Sequence, residues 1–382
     1  MRLSTDKLML VGLLIFTLAE ALTHYGQVYP DSLGYFSAAH FFQGHASAGA
    51  SNFRLLRPVI PFLASLINYF VDIRTSFAMV NLVFWCASAI LMFYFTKLLT
   101  KNLYSSLFSS ALFTSAVPML LFADAALTDM GGYFFILLGT FLVIKWNIPH
   151  ASLRRVCLTG LVLGIGVLTR ESVASVLIFA IVWTILSKGS VSRIATLCLI
   201  PLAMSLAWSQ ALGVSYVTWY VQGGLVFAGA HQALGPMRRA LRTLGSIVYS
   251  FGRYPVALAF AAFGFLRIRD RDYFKIHISV LIGALAIILA WPVIDTRFSF
   301  ILFPSVLPLA GAGLEDAYRT IFNSKLIQTN WSSFANSAWS RYAFLIFVFG
   351  VCAFITNFAL EAHLSFPWMP YTDPSVKLTD IA

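Results

Sequence analysis

Charge is what this sequence has least of. Only 11% of its 382 residues are Asp, Glu, Lys or Arg, and 59% are hydrophobic, whereas soluble domains carry about 25% charged residues. A water-soluble fold is excluded on that ground. Short segments of alternating polarity, which mark a transmembrane barrel, are also lacking, because the apolar runs are continuous. Cysteine is sparse: Cys86, Cys157, Cys198 and Cys352 all fall inside apolar runs and lack metal-ligand spacing. They read as small packing residues and say nothing of the redox compartment. No internal repeat or low-complexity stretch is visible, nor the paired broken helices of an inverted-repeat transporter.

What is present is a succession of apolar runs of about 20 residues, each long enough to cross roughly 30 Å of hydrocarbon. They predict an all-α polytopic membrane protein with about 11 transmembrane helices, at 8–23, 75–97, 103–122, 130–146, 155–169, 172–187, 194–212, 254–267, 276–292, 298–315 and 342–360. The chain 1–382 is expected to form one transmembrane domain without a separate soluble domain. The first run, behind Arg2 and Lys7, reads as a retained helix rather than a signal peptide, because the polar segment after it needs an anchor.

Basic residues set the expected orientation, N-terminus inside and C-terminus outside. The inner segments then hold Arg2, Lys7, Lys97, Lys101, Lys145, Arg154, Arg155, Lys188, Arg193, Arg267, Arg269, Arg271, Lys275, Arg319, Lys325 and Arg341. The net charge of +11 is thereby a topology signal, and no nucleic-acid partner is needed to explain it. Two long loops, 24–74 and 213–253, and a short tail, 361–382, lie outside. The basic residues of the whole outer face, short loops included, are Arg54, Arg57, Arg74, Arg170, Arg238, Arg239, Arg242, Arg253 and Arg297, with Lys377 as the one lysine. Selective use of arginine suits planar recognition of phosphate or carboxylate; snorkelling at the interface is the plainer account, and suffices for Arg74 and Arg253.

In the first outer loop Pro30 and Asp31 read as a helix start, with Leu33, Phe36 and His40 along one face. Asp31 as a simple helix cap is the competing account. The stretch Arg54 to Leu63 is too apolar for a free linker and is expected along the membrane surface, its arginines facing water or headgroups. A similar element runs from Pro236 to Tyr249, with Met237, Leu241, Leu244 and Val248 on its apolar stripe. Two such segments would roof a sheltered site at the membrane boundary. Asp124 and Glu20 are further acids near that side, while His24, His40, His45 and His231 are spaced too irregularly to suggest a metal site.

The order of these features resembles the GT-C superfamily of polytopic glycosyltransferases, the class of the protein O-mannosyltransferases and the aminoarabinose transferases of lipid A. The resemblance lies in Asp31-Ser32-Leu33-Gly34-Tyr35 after the first helix, Arg54 to Pro61, Leu127-Thr128-Asp129, the glycine-rich run ending in Thr169-Arg170-Glu171, and Asp295-Thr296-Arg297-Phe298 with Pro304 and Pro308 downstream. It covers roughly residues 8–315, and the ordering carries it more than any single motif. Three departures stand out: Ser32 where many relatives have a second acid, Phe298 where tyrosine is common, and a short C-terminal tail.

The resemblance implies a polyprenyl (dolichyl or undecaprenyl) phosphate sugar as donor and an acceptor hydroxyl or amide on the outer side. Asp31 is then expected as general base, with Arg170 and Arg297 on the donor phosphate. Asp129 would orient the acceptor or Asp31, and Arg54, Arg57, Tyr35 and Glu171 complete the substrate- and phosphate-binding set. No cofactor is called for beyond a possible divalent metal on Asp31 and Asp129, which the missing second acid puts in doubt. Pairing of Arg170 with Glu171, of Asp295 with Arg297, and capping by Asp129 are the structural alternatives. The 35 Phe, 15 Tyr and 9 Trp offer walls for a prenyl chain as well as ordinary packing and interface belts. Rival functions are a flippase or transporter, a polymerase or ligase of lipid-linked sugars, and a structural subunit. The sequon Asn330-Trp331-Ser332 falls on the inner side, which accords with a bacterial inner membrane more than the endoplasmic reticulum.

Overall fold

The structure is a computed structural model that describes residues 10–15, 17–19, 28, 30–45, 53–116, 125–216, 254–268, 270–290 and 300–322, with scattered helical positions besides. The first predicted span is helical over 10–15 and 17–19. Two short helices follow, α1 (Pro30–Phe42) and α2 (Val59–Ile67), with a 3-10 turn at Phe53–Leu56 between them. The long elements are α3 (Ile73–Thr100), α4 (Leu103–Thr114), α5 (Asp129–Lys145), α6 (Leu153–Thr169), α7 (Ala174–Leu186) and α8 (Val191–Leu212). Last come α9 (Pro255–Leu266), α10 (Arg271–Ala290) and α11 (Phe303–Phe322). No strand occurs among the described residues.

Among the described residues, four helices are long and apolar enough to cross a membrane: α3, α8, α10 and the stretch Phe300–Phe322. Large apolar side chains on their outer faces, such as Val83 on α3 and Leu199 on α8, are exposed, as a lipid-facing surface requires. The helix α11 runs beyond the predicted end at 315, and Glu315 lies buried on it rather than in a loop. Its carboxylate accepts from Arg319 Nε one turn later at 2.8 Å, a bond that carries the helix past the apolar run.

Local signals explain the tight joints. Asp72 caps α3 by accepting from the Thr75 amide at 3.0 Å, and Asn102 caps α4 by accepting from the Tyr104 and Ser105 amides. Between them Lys101 takes a left-handed φ of 53°, so α3 turns straight back into α4. Helix α4 is buried all round from Ser105 to Thr114. Its serines replace bulk with short hydrogen bonds: Ser110 Oγ donates to Ala89 O at 2.8 Å and Ser109 Oγ to Leu307 O at 2.9 Å. Small polar residues of this kind let membrane helices approach closely.

Glycine serves the same end where α9 crosses α11. A Cβ on Gly313 would overlap the Phe260 carbonyl, and one on Gly264 the Leu309 carbonyl. Gly313→Val is therefore expected to force the two backbones apart and to cost about 1–3 kcal/mol. A lowered unfolding temperature in detergent, beside an unchanged Gly12→Val control at a position with open space, checks this.

Candidate active site

Short turns join α5 to α6, α6 to α7 and α7 to α8, so the start of α5, the joint between α6 and α7, and the end of α8 meet at one end of the bundle. Helix α1 and the turn before α2 reach that end, where Tyr35 meets Thr128 and Arg57 meets Glu171. Leu33, Phe36 and His40 share one face of α1, and only part of it packs inward, where the Phe36 ring stands 5.5 Å from that of Phe77. Ser32, Tyr35, Ala38 and Ala39 are buried while Leu33 is 45% exposed. At a bilayer an apolar side chain such as Leu33 gains nothing by facing protein, whereas the polar Tyr35 needs partners there.

Tyr35 finds those partners in a buried network. Arg57 Nη1 donates to its hydroxyl at 2.6 Å, and the hydroxyl lies 3.2 Å from Thr128 Oγ1. Thr128 also receives Arg170 Nη1 at 3.3 Å. Each arginine is neutralised by a carboxylate. Arg57 holds Glu171 through Nε and Nη2, both at 2.9 Å from Oε2, with Nε also 2.9 Å from Oε1. Arg170 Nη1 donates to Asp129 Oδ2 at 2.7 Å. These side chains are 1–9% exposed.

One expectation changes here, and two structural alternatives are answered. Arg57 was placed facing water or headgroups, and it is buried, because Glu171 supplies the counter-charge that makes burial tolerable. Arg170 and Glu171 do not pair with each other; extended backbone at Arg170, φ −161°, sends the neighbours to separate partners. Asp129 opens α5 but does not cap it. Thr128 is the N-cap residue, and the Asp129 carboxylate is spent on Arg170.

A third ion pair lies above the buried ones. Arg54 Nη2 donates to Asp31 Oδ1 at 2.6 Å, with Arg54 26% and Asp31 40% exposed. The Arg54 guanidinium carbon stands 5.1 Å from the centre of the Tyr35 ring, a cation–π distance. Tyr35 thus joins the two tiers, its hydroxyl in the buried network and its ring against Arg54. Burial pushes its phenol up, but Arg57, Arg54 and Arg170 together outweigh it and bring the group below its ordinary value of 10.0.

Several contributors carry no catalytic chemistry and were not singled out from sequence. Asn81 donates its amide to Ala125 O at 2.6 Å and to Leu127 O at 3.0 Å, pinning the approach to Asp129. Gly132 lets the Arg170 stem cross α5, where a Cβ would come 2.9 Å from Arg170 Cδ. Trp208 Nε1 donates to Leu55 O at 2.8 Å and Tyr216 to Leu56 O at 2.7 Å, so α8 and the residues after it hold the turn that carries Arg54 and Arg57. The visible signals were slight: one asparagine inside an apolar run, and a Gly-Gly pair behind Asp129.

Arg297, Asp295, Asp124, Glu20, His24, His231, Cys352 and the four arginines Arg238, Arg239, Arg242 and Arg253 lie outside the described residues. Met237, Leu241 and Leu244 of the second amphipathic stripe are exposed. A divalent ion needs several oxygen ligands converging on it. Asp31 and Asp129 each take an arginine instead, Asp129 Oδ1 is the buried carboxylate oxygen left over, and among the described residues no three His, Cys, Asp or Glu side chains gather. The described residues do not fit a metal.

No family model matches the chain, and no curated protein does. Solved structures match along most of its length. The apo oligosaccharyltransferase of Archaeoglobus fulgidus aligns with a TM-score of 0.61 at 12% identity, over 95% of this chain and 56% of that one. The same organism's archaeal oligosaccharyltransferase AglB, in complex with an inhibitory peptide and a dolichol-phosphate, aligns at 0.58 and 11% over 94% and 56%. ArnT from Cupriavidus metallidurans bound to undecaprenyl phosphate aligns at 0.55 and 14% over 91% and 72%. The chain has the fold of the GT-C glycosyltransferases. It spans little more than half the length of the archaeal enzymes.

Removing one member of a buried ion pair strands the other, at about 3–5 kcal/mol. Glu171→Ala is expected to lose stability on that scale. Arg57→Met combined with Glu171→Leu should recover most of it, as read from thermal unfolding of the purified proteins.

Proposed function

We propose that this chain is a membrane glycosyltransferase that moves a sugar from a polyprenyl-phosphate donor to an acceptor on the extracytoplasmic side, with inversion. Its eleven-span, N-in topology belongs to the same reading. The accessible Asp31–Arg54 pair, seated on buried and neutralised charges, is the observation that carries it. Inversion needs one base to take the acceptor's proton as the acceptor oxygen or nitrogen attacks the anomeric carbon. The phosphate leaves as a stable anion and needs positive charge more than a protonating acid.

Asp31 is the base in this reading. Phosphate binding passes to Arg54, because Arg57 and Arg170 are enclosed and already neutralised; Arg297 remains a second candidate. Tyr35, Glu171 and Asp129 hold the site in shape instead of touching substrate. The undecaprenyl phosphate and dolichol-phosphate bound to the structural neighbours support a polyprenyl-phosphate donor.

The test supplies purified protein in nanodiscs with radiolabelled polyprenyl-phosphate sugars and membrane acceptors. The wild type should transfer label, and Asp31→Asn should lower the rate by about 10²–10⁴-fold while unfolding at the same temperature. Full activity in Asp31→Asn would remove Asp31 from the chemistry. Absence of transfer from every donor would turn attention to lipid flipping.

A further inference from the structure

Three arginines surround Tyr35, and they differ in what it takes to release them. Opening Arg57 from Glu171 or Arg170 from Asp129 leaves a charge enclosed without a partner. Opening Arg54 from Asp31 leaves both groups in reach of water, since they are 26% and 40% exposed. The backbone beneath Arg54 is held at Leu55 and Leu56 by Trp208 and Tyr216. The side chain of Arg54 can therefore change partners while the turn stays in place.

The closed pair also poses a chemical problem, on the reading that Asp31 is the base. The oxygen that accepts from Arg54 is not open to an acceptor's proton, and a guanidinium shared with Asp31 gives less to a phosphate. Full charge on the phosphate needs the pair to separate, and separation also frees Oδ1 of Asp31. We propose that Arg54 exchanges partners during the reaction, leaving Asp31 for the donor phosphate when the lipid binds and returning when it departs.

The exchange fits the course of charge. The donor phosphate is a diester with one negative charge. Asp31 takes the proton from the acceptor, the acceptor's oxygen or nitrogen bonds to the anomeric carbon, and the bond from that carbon to the phosphate oxygen breaks with its electron pair on the phosphate. The product monoester carries about −1.5 to −2, so Arg54 binds more tightly as the bond breaks, which is stabilisation of the transition state over the ground state. When the lipid leaves, Arg54 returns to Asp31 as its proton passes to water. Arg54 is in this account both phosphate ligand and reset for the base.

The test measures binding of undecaprenyl phosphate to wild type, Asp31→Asn, Arg54→Gln and the double variant in nanodiscs, with uncharged undecaprenol as control. If Asp31 competes with the lipid for Arg54, Asp31→Asn should tighten phosphate binding about fivefold and do nothing to undecaprenol. In the Arg54→Gln background the same change should have less than about a twofold effect, because the competition is gone. An equal gain in both backgrounds would mean simple repulsion and overturn the exchange, as would unchanged or weaker binding in Asp31→Asn. Saturable binding that fails for all four proteins would overturn the donor reading along with it.

Discussion

Enclosing an arginine near a bilayer is costly unless a carboxylate meets it with good geometry, and the end of this bundle is arranged around two such meetings. Arg57 reaches Glu171 from the turn between the short helices, and Arg170 reaches Asp129 across the start of α5. Neither pair is local in sequence; Arg57 and Glu171 are 114 residues apart. Satisfying them ties the first loop to the α6–α7 joint and that joint to α5. Tyr35 and Thr128 bridge the two pairs, so displacement of one element strains the others.

That constraint divides the arginines into two kinds. Arg57 and Arg170 serve as fasteners, and their positive charge is cancelled where it stands. Arg54 rests on the ring face of Tyr35 with its charge turned toward Asp31 and the surface. A rigid lower tier beneath an adaptable upper pair is a sensible basis for chemistry on a lipid substrate: the reacting groups keep their height at the membrane boundary while their partners change.

The helical class was legible because the membrane imposes it: long apolar runs leave no other outcome, and most of those runs coincide with helices whose ends are shifted, four of them long and apolar enough to span among the described residues. The ends shifted where polar residues continue a helix beyond its apolar run, as Glu315 and Arg319 do. Asp31, Tyr35, Arg54, Arg57, Asp129, Arg170 and Glu171 could be gathered in advance because the family resemblance points to them and all fall on one side of the alternating helices. Which carboxylate each arginine would take could not be read. Adjacent Arg170 and Glu171 look like a pair in one dimension, and only the extended backbone at Arg170 separates them. The inward face of α1 could not be read either, because an apolar stripe marks the core only in water. Trp208 and Tyr216 were invisible for a related reason: their partners are backbone carbonyls, which leave no mark in sequence.

The most direct measurement is arginine modification of the folded protein by phenylglyoxal, read by mass spectrometry with and without undecaprenyl phosphate. The account predicts that Arg54 is modified and that the lipid protects it, while Arg57 and Arg170 react only after unfolding. Modification of Arg57 or Arg170 in the folded protein, with lipid protection there and none at Arg54, would contradict it.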